Sequence, residues 1–208
     1  MAIDAEITRE TLAQGLGLPL PFREPLIPAG ELGAWPDLPA GPFVEARIGE
    51  RHLTPSESTR LAGRIAADER GVIIAGPDTD PPPDRVAAIA RLAAASGYPI
   101  LADPLSGLRA GPHDRSRVLV RGDQLVRPGP WIDAHAPSLV IRFGAMPTSR
   151  PLVEWLKRTA PELWVVDGDA GWREAALLPA TFIHADAAAT ADDLATALET
   201  AGAERTDR

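Results

Sequence analysis

The chain contains no cysteine and no asparagine, and Lys157 is its only lysine. Without cysteine there is no disulfide framework, no thiolate nucleophile and no Cys-ligated metal. A phosphate-cradling loop needs Gly-Lys-Ser/Thr, and the lone lysine sits in Trp155-Leu-Lys-Arg158 instead. No Gly-x-Gly-x-x-Gly follows an apolar run, so the usual dinucleotide fingerprint is missing as well. The four histidines, His52, His113, His135 and His184, are scattered and show no zinc-ligand spacing. No apolar run approaches the ~20 residues of a bilayer span, and Met1-Ala-Ile-Asp-Ala-Glu6 lacks the basic and apolar regions of a secretory leader. The expected setting is cytoplasmic, with no membrane span. A formal net charge of −8 removes the basic footprint of nucleic-acid binders, so no nucleic-acid partner is expected.

What remains describes an ordinary globular chain. Hydrophobic residues make up 45% and charged residues 24% of the 208, and a chain of this length buries about 70% of its unfolded surface without a staple. Pro19, Pro21, Pro25, Pro28, Pro36, Pro39 and Pro42 interrupt the beginning. Proline breaks helix interiors and sheet ladders, so residues 1–52 read as an irregular lead-in that wraps a core, with one short strand at Phe43–Ile48. From Thr54 onward, helix and strand patterns alternate. Thr54-Pro55 with Glu57 three residues on marks a helix start that runs to about Arg70. Gly71–Gly76 reads as a strand buried on both faces. Asp84–Ser96 reads as a helix stopped by Gly97. Strands are then expected at Tyr98–Ala102, Val118–Arg121, Leu139–Phe143, Leu163–Val166 and Thr181–His184. Helices are expected at Trp131–Ala136, Pro151–Thr159 and Asp192–Ala201. The pattern implies an α/β domain over residues 53–202, an open and mostly parallel sheet of about six strands with helices on both faces. Residues 203–208 read as a disordered tail.

Three strand ends carry polar side chains: Asp103 with Ser106 and Arg109, Thr148 with Ser149 and Arg150, and Asp167 with Asp169 and Arg173. In a parallel sheet they share one edge, where helix N-termini favour anions. One reading is an anion-accepting crevice built on Arg109 and Arg150, with Arg173 as a third cation. The other is that these residues cap helices and brace loops, the commonest use of Ser, Thr and Asp. Both stay open from the residues alone. Arg142 lies inside an apolar strand and must find a partner, so a structural ion pair is expected. No Ser-His-Asp or Cys-His arrangement can be argued from spacing. Asp78, Asp80 and Asp84 around the triple proline read as a solvated acidic loop.

Six blocks carry a resemblance: Leu20-Pro-Phe-Arg-Glu-Pro-Leu26, Gly71-Val-Ile-Ile-Ala-Gly-Pro77, Pro99-Ile-Leu-Ala-Asp-Pro-Leu-Ser-Gly-Leu-Arg109, Leu139-Val-Ile-Arg-Phe-Gly-Ala-Met-Pro-Thr-Ser-Arg-Pro-Leu152, Val165-Val-Asp167 with Gly171-Trp-Arg173, and Phe182-Ile-His-Ala-Asp186. In order, over roughly residues 19–200, they resemble the middle domain of the menaquinone-pathway synthases that make 2-succinyl-5-enolpyruvyl-6-hydroxy-3-cyclohexene-1-carboxylate, which are thiamine-diphosphate-dependent transferases. The resemblance implies the Rossmann-like central domain of thiamine-diphosphate enzymes, an excised or split piece with a scaffold and interface role that is not catalytic alone. In that family the cofactor sits between a pyrimidine domain and a diphosphate domain, the latter holding Mg²⁺ through a Gly-Asp-Gly motif ending in asparagine. Gly122-Asp-Gln124 and Gly168-Asp-Ala170 depart from that motif. Thiamine diphosphate and Mg²⁺ are thus implied for the complete enzyme, and no catalytic, cofactor or metal residue for this chain.

The partners implied are the missing pyrimidine and diphosphate domains, carboxylate substrates (isochorismate and 2-oxoglutarate) and further copies in a homo-oligomer. The implied substrate-side residues are Arg150, Ser149 and Arg109, with Arg150 as a carboxylate clamp. The alternative reading is a free-standing anion- or nucleotide-binding α/β module.

Overall fold

The structure, a computed structural model, describes residues 49–78, 81–168 and 174–202. Residues 1–48 of the lead-in, with the strand expected at 43–48, the tail at 203–208, and Asp80, Asp169 and Arg173 lie outside the described residues. All described elements belong to a compact unit spanning Gly49–Arg208.

In chain order the elements are α1 (Pro55–Ala66), β1 (Gly71–Ala75), α2 (Pro83–Ser96), β2 (Ile100–Ala102), β3 (Val118–Leu119), α3 (Gly122–Leu125), α4 (Pro130–Ala134), β4 (Leu139–Phe143), α5 (Arg150–Thr159), β5 (Glu162–Val166), β6 (Thr181–Ile183) and α6 (Ala187–Thr200). The six strands form one sheet in the order β3-β2-β1-β4-β5-β6, and every neighbouring pair is parallel. The α/β class and the six parallel strands expected from the sequence are therefore present.

Local chemistry explains most boundaries. Thr54 Oγ1 accepts from the Glu57 amide at 3.3 Å and Pro55 occupies the first helical turn, which starts α1. The Glu57 carboxylate departs from the expected capping box, accepting instead from Arg60 Nε at 2.7 Å. Gly97 ends α2 with φ 77°, a left-handed conformation that glycine adopts at little cost. Helix α6 begins at Ala187 rather than at the expected Asp192, because Asp186 accepts from the Ala189 amide at 2.8 Å and caps it. The short α3 was not expected at all; its four residues carry no helical period.

The sheet is buried on both sides. On one face Ile73, Ile100, Leu139, Ile141, Phe143 and Trp164 pack with Leu61 and Ile65 of α1, Ile89 and Leu92 of α2, and Leu194 and Leu198 of α6. On the other, Ile74, Leu101, Val140, Leu163 and Val165 meet Leu152, Trp155 and Leu156 of α5, with Val126 and Ile132. Each fully buried Ile or Leu contributes roughly 1.5–3 kcal/mol. Two-sided burial is why the strands read as unbroken apolar runs.

One carboxylate ties the amino edge together. Asp68, 7% exposed, accepts from Ser138 Oγ at 2.6 Å, Arg64 Nη1 at 2.7 Å and the Arg70 amide at 2.9 Å. Arg64 also holds Glu162 at 2.7 Å. The network joins the end of α1 to the starts of β1, β4 and β5. Burial pushes the Asp68 carboxyl up, but the donors Ser138, Arg64 and Arg70 outweigh it and hold the group below the usual carboxylate range. A depressed folded pKa adds stability above the unfolded value of about 3.9, and that stability is lost as pH falls through the folded value. Denaturant midpoints should therefore fall below about pH 4, and Asp68→Asn should flatten that part of the profile while costing about 1–3 kcal/mol at neutral pH. An Asp68→Asn profile parallel to the parent's in acid would contradict this assignment.

Candidate functional site at the carboxyl edge

The strand order reverses direction between β1 and β4, and the crevice beyond their carboxyl ends is where sheets of this order take ligands. Here the first residues beyond the two strands approach each other closely. The Gly76 amide donates to Phe143 O at 2.9 Å, and a Cβ built on Gly76 would stand 1.8 Å from the Ala145 carbonyl oxygen. Gly144 follows β4 with φ 77°, which turns the chain toward Ala145. The two strand-end loops are in van der Waals contact across the switch point, and the closeness depends on glycine at position 76.

Beside this contact, the polar ends of β2 and β4 come together, two of the three strand ends singled out in the sequence. Asp103, 5% exposed at the end of β2, accepts from the Thr148 amide at 2.9 Å and from Thr148 Oγ1 at 2.8 Å. Its other oxygen accepts from the Leu105 amide at 3.0 Å. The carboxylate thus reaches past β1 to fix the β4–α5 turn. Ser149 is the N-cap of α5, accepting from the Leu152 amide at 3.2 Å, and its hydroxyl also donates to Asp123 of α3. Arg109 folds back on its own strand end, donating from Nε and Nη2 to the Ala102 carbonyl at 2.9 and 2.7 Å. Arg150 differs from its neighbours. It opens α5, is exposed, and among the described residues no acceptor bonds its guanidinium.

Arg142, fully buried in β4, pairs with Glu174 at 3.3 Å and donates to Met146 Sδ at 3.4 Å. The ion pair expected from a charge inside an apolar strand is present, and it braces both the β4–α5 turn and the segment after β5. Sequence reasoning did not foresee Asp123 and Glu174 as the partners of Ser149 and Arg142. Neither lies at a fixed sequence offset from its partner, so only the register of the sheet brings them together. Asp78, read as a solvated carboxylate, instead pairs with Arg85.

Thiamine diphosphate with a divalent ion needs a cluster of hard oxygen ligands and an open cleft. Among the described residues no group of three or more His, Asp or Glu side chains would hold a metal ion. The described residues therefore offer the divalent ion of that cofactor no fitting ligand set. No helix among the described residues is long and apolar enough to cross a membrane.

Comparison with known proteins bears on the same question. A family profile described as "Middle domain of thiamine pyrophosphate" matches residues 32–201. The chain is 40% identical over 184 residues to a 2-succinyl-5-enolpyruvyl-6-hydroxy-3-cyclohexene-1-carboxylate synthase from Chloroflexus aurantiacus, covering 86% of this chain and 30% of the relative. It is 38% identical over 202 residues to a synthase of the same name from Haloquadratum walsbyi, covering 93% of this chain and 32% of the relative. A solved structure of a putative thiamin diphosphate-dependent enzyme from Mycobacterium smegmatis matches 76% of this chain and 30% of its own at 18% identity, with a TM-score of 0.48. The chain spans about 30% of the length of the curated relatives it matches.

The Gly76–Ala145 contact makes a direct prediction. Gly76→Ala forces a backbone carbonyl to move and should cost at least about 2 kcal/mol, or roughly 4–8 °C in Tm. Gly63, exposed in α1 with nothing within 4 Å of its added Cβ, is the control. Gly63→Ala should leave Tm unchanged or raise it, since alanine is favoured over glycine in a helix by about 1 kcal/mol. Equal melting shifts in the two variants would show that the contact is not tight.

Proposed function

The chain belongs to the family of middle domains of thiamine pyrophosphate enzymes, and from that premise we propose that it is the scaffold and interface domain of a transferase joining isochorismate and 2-oxoglutarate, with no catalysis of its own. The observation that carries this reading is the switch point. A sheet of this strand order ordinarily offers its ligand crevice there, and the close approach of backbone at Gly76 and Ala145 narrows its base, which supports the reading. Thiamine diphosphate and Mg²⁺ then belong to the pyrimidine and diphosphate domains that the resemblance implies outside this chain. When bound, the cofactor supplies the carbanion chemistry. The work of this chain is positional: it sets the distance between its neighbours and presents a defined edge to them. A cytoplasmic homo-oligomer is the expected form of the complete enzyme.

Within that edge, Arg150 is the residue proposed to meet a substrate carboxylate. Its charge is exposed and unpaired among the described residues, the N-terminus of α5 adds a favourable field for anions, and a guanidinium binds a carboxylate through two parallel hydrogen bonds. Ser149 and Arg109 hold the same edge in shape, the first by capping α5 and the second by satisfying the Ala102 carbonyl. The alternative, a free-standing module for anions or nucleotides, would have to bind in the narrowed crevice.

Titration calorimetry separates the two readings. The isolated chain should give no heat with thiamine diphosphate up to millimolar ligand; micromolar affinity would sink the scaffold reading. In the complete enzyme, Arg150→Ala should raise KM for a carboxylate substrate at least about tenfold, the loss of a charge-assisted hydrogen bond. Tm should stay within a degree or two, since Arg150 is exposed, outside the core and bonded by no acceptor among the described residues, and such substitutions change stability by less than about 0.5 kcal/mol. An unchanged KM would remove Arg150 from the site.

A further inference from the structure

The Ser149 hydroxyl makes two bonds, and only one of them is needed to start α5. Its oxygen accepts from the Leu152 amide at 3.2 Å, which caps the helix. Its proton goes to the carboxylate of Asp123 on α3. A serine caps equally well with its proton on water, so the second bond does something the cap does not require. Asp123 itself is set firmly. α3 has four residues, too few to persist by its own hydrogen bonds, and the sheet holds it. Gly122 is buried against β2, where an added Cβ would stand 2.7 Å from Leu101 Cδ2. Val126, fully buried just past the other end, shares an apolar cluster with Leu101 and Leu152. Asp123 lies between these anchors. Its second oxygen faces Arg127 at 3.8 Å, an exposed pair of the kind that contributes little, so the Ser149 hydroxyl is its firm partner.

The two residues before Arg150 are thus pinned from different elements. Asp103 at the end of β2 holds Thr148 by its amide and its hydroxyl, and Asp123 holds Ser149. Arg150 comes next and is exposed, with no acceptor bonding its guanidinium among the described residues. The place of its Cα therefore derives from the two residues ahead of it. We propose that Asp123 is a positioning residue for Arg150: through the Ser149 hydroxyl it fixes the backbone from which the guanidinium reaches a substrate carboxylate. The inference rests on the reading of Arg150 as the group that meets that carboxylate. A guanidinium–carboxylate pair is directional, with two parallel hydrogen bonds, and misplacing such a group by about 1 Å is felt at the substrate. Asp123 does not touch substrate in this role. Its negative charge disfavours a nearby anion, so a carboxylate next to this clamp is explained by the hydrogen bond it accepts and not by its charge.

Four variants test this: Asp123→Asn, Asp123→Ala, Arg150→Ala, and Asp123→Ala combined with Arg150→Ala. Asp123 is half-buried and outside both apolar clusters, so the fold survives its substitution. In the 208-residue chain, the backbone order parameter of Arg150 should fall from about 0.85 to below about 0.6 in Asp123→Ala. It should stay near the parent value in Asp123→Asn, whose amide oxygen still accepts from Ser149. In the complete enzyme, Asp123→Ala should raise KM about three- to tenfold, with kcat within about twofold, for the same substrate, isochorismate or 2-oxoglutarate, whose KM rises in Arg150→Ala. Asp123→Asn should keep the parent KM. In the double variant, Asp123→Ala should add less than about twofold to the loss from Arg150→Ala, because no cation is left to position. An unchanged order parameter in Asp123→Ala, a multiplied loss in the double variant, or equal KM losses in Asp123→Asn and Asp123→Ala each overturn the proposal while Arg150 keeps its place at the substrate. A parent-like KM in Arg150→Ala removes that place and the proposal with it.

Discussion

Three hydrogen bonds converge on the buried Asp103 carboxylate, and the geometry of the carboxyl edge follows from them. The donors are the amides of Leu105 and Thr148 and the hydroxyl of Thr148. A buried carboxylate stripped of its donors is costly, so the loop after β2 and the turn after β4 are held together across β1. With the turn fixed, Ser149 is placed to cap α5 and Arg150 leaves the edge pointing away from internal acceptors. Asp68 performs the corresponding task at the opposite edge, where it joins α1, β1 and β4. A parallel sheet has no hairpins to set its register. These two carboxylates, one at each edge, supply the cross-strand constraints that hairpins would otherwise provide.

Much of this was legible in the residues, and the reasons are specific. β4 was expected at Leu139–Phe143 and is found there, because a strand buried on both faces must be continuously apolar and its ends must break that run. The start of α1 was legible because Thr54 carries a capping hydroxyl and Pro55 suits the first helical turn, although the Glu57 carboxylate turns to Arg60. The start of α6 was misplaced by five residues. Ala187, Ala188 and Ala189 give no contrast between faces, and the only sign was Asp186 acting as a cap. β3 shrank to two residues because Val118 and Leu119 alone pair with β2.

The candidate site was legible in kind but not in detail. Strand-end polar residues were expected to share an edge, and Asp103 and Thr148 bond directly. Which of them would be consumed by structure could not be read from one dimension. Ser149 and Arg109 find internal partners that the fold brings from Asp123 and from the backbone of Ala102. Arg142 was the easier case, since a guanidinium inside an apolar strand has few ways to be tolerated and a buried carboxylate is the commonest.

The close approach at Gly76 also bears on how this architecture changes use. In an ordinary dinucleotide-binding sheet, the glycine after the first strand makes room for a pyrophosphate. Here the missing side chain makes room for the chain's own carbonyl at Ala145. The same absence of a Cβ that elsewhere admits a visitor serves in this protein as a latch. A designer wishing to convert the domain into a sensor would begin by lengthening the turn at Gly144–Met146.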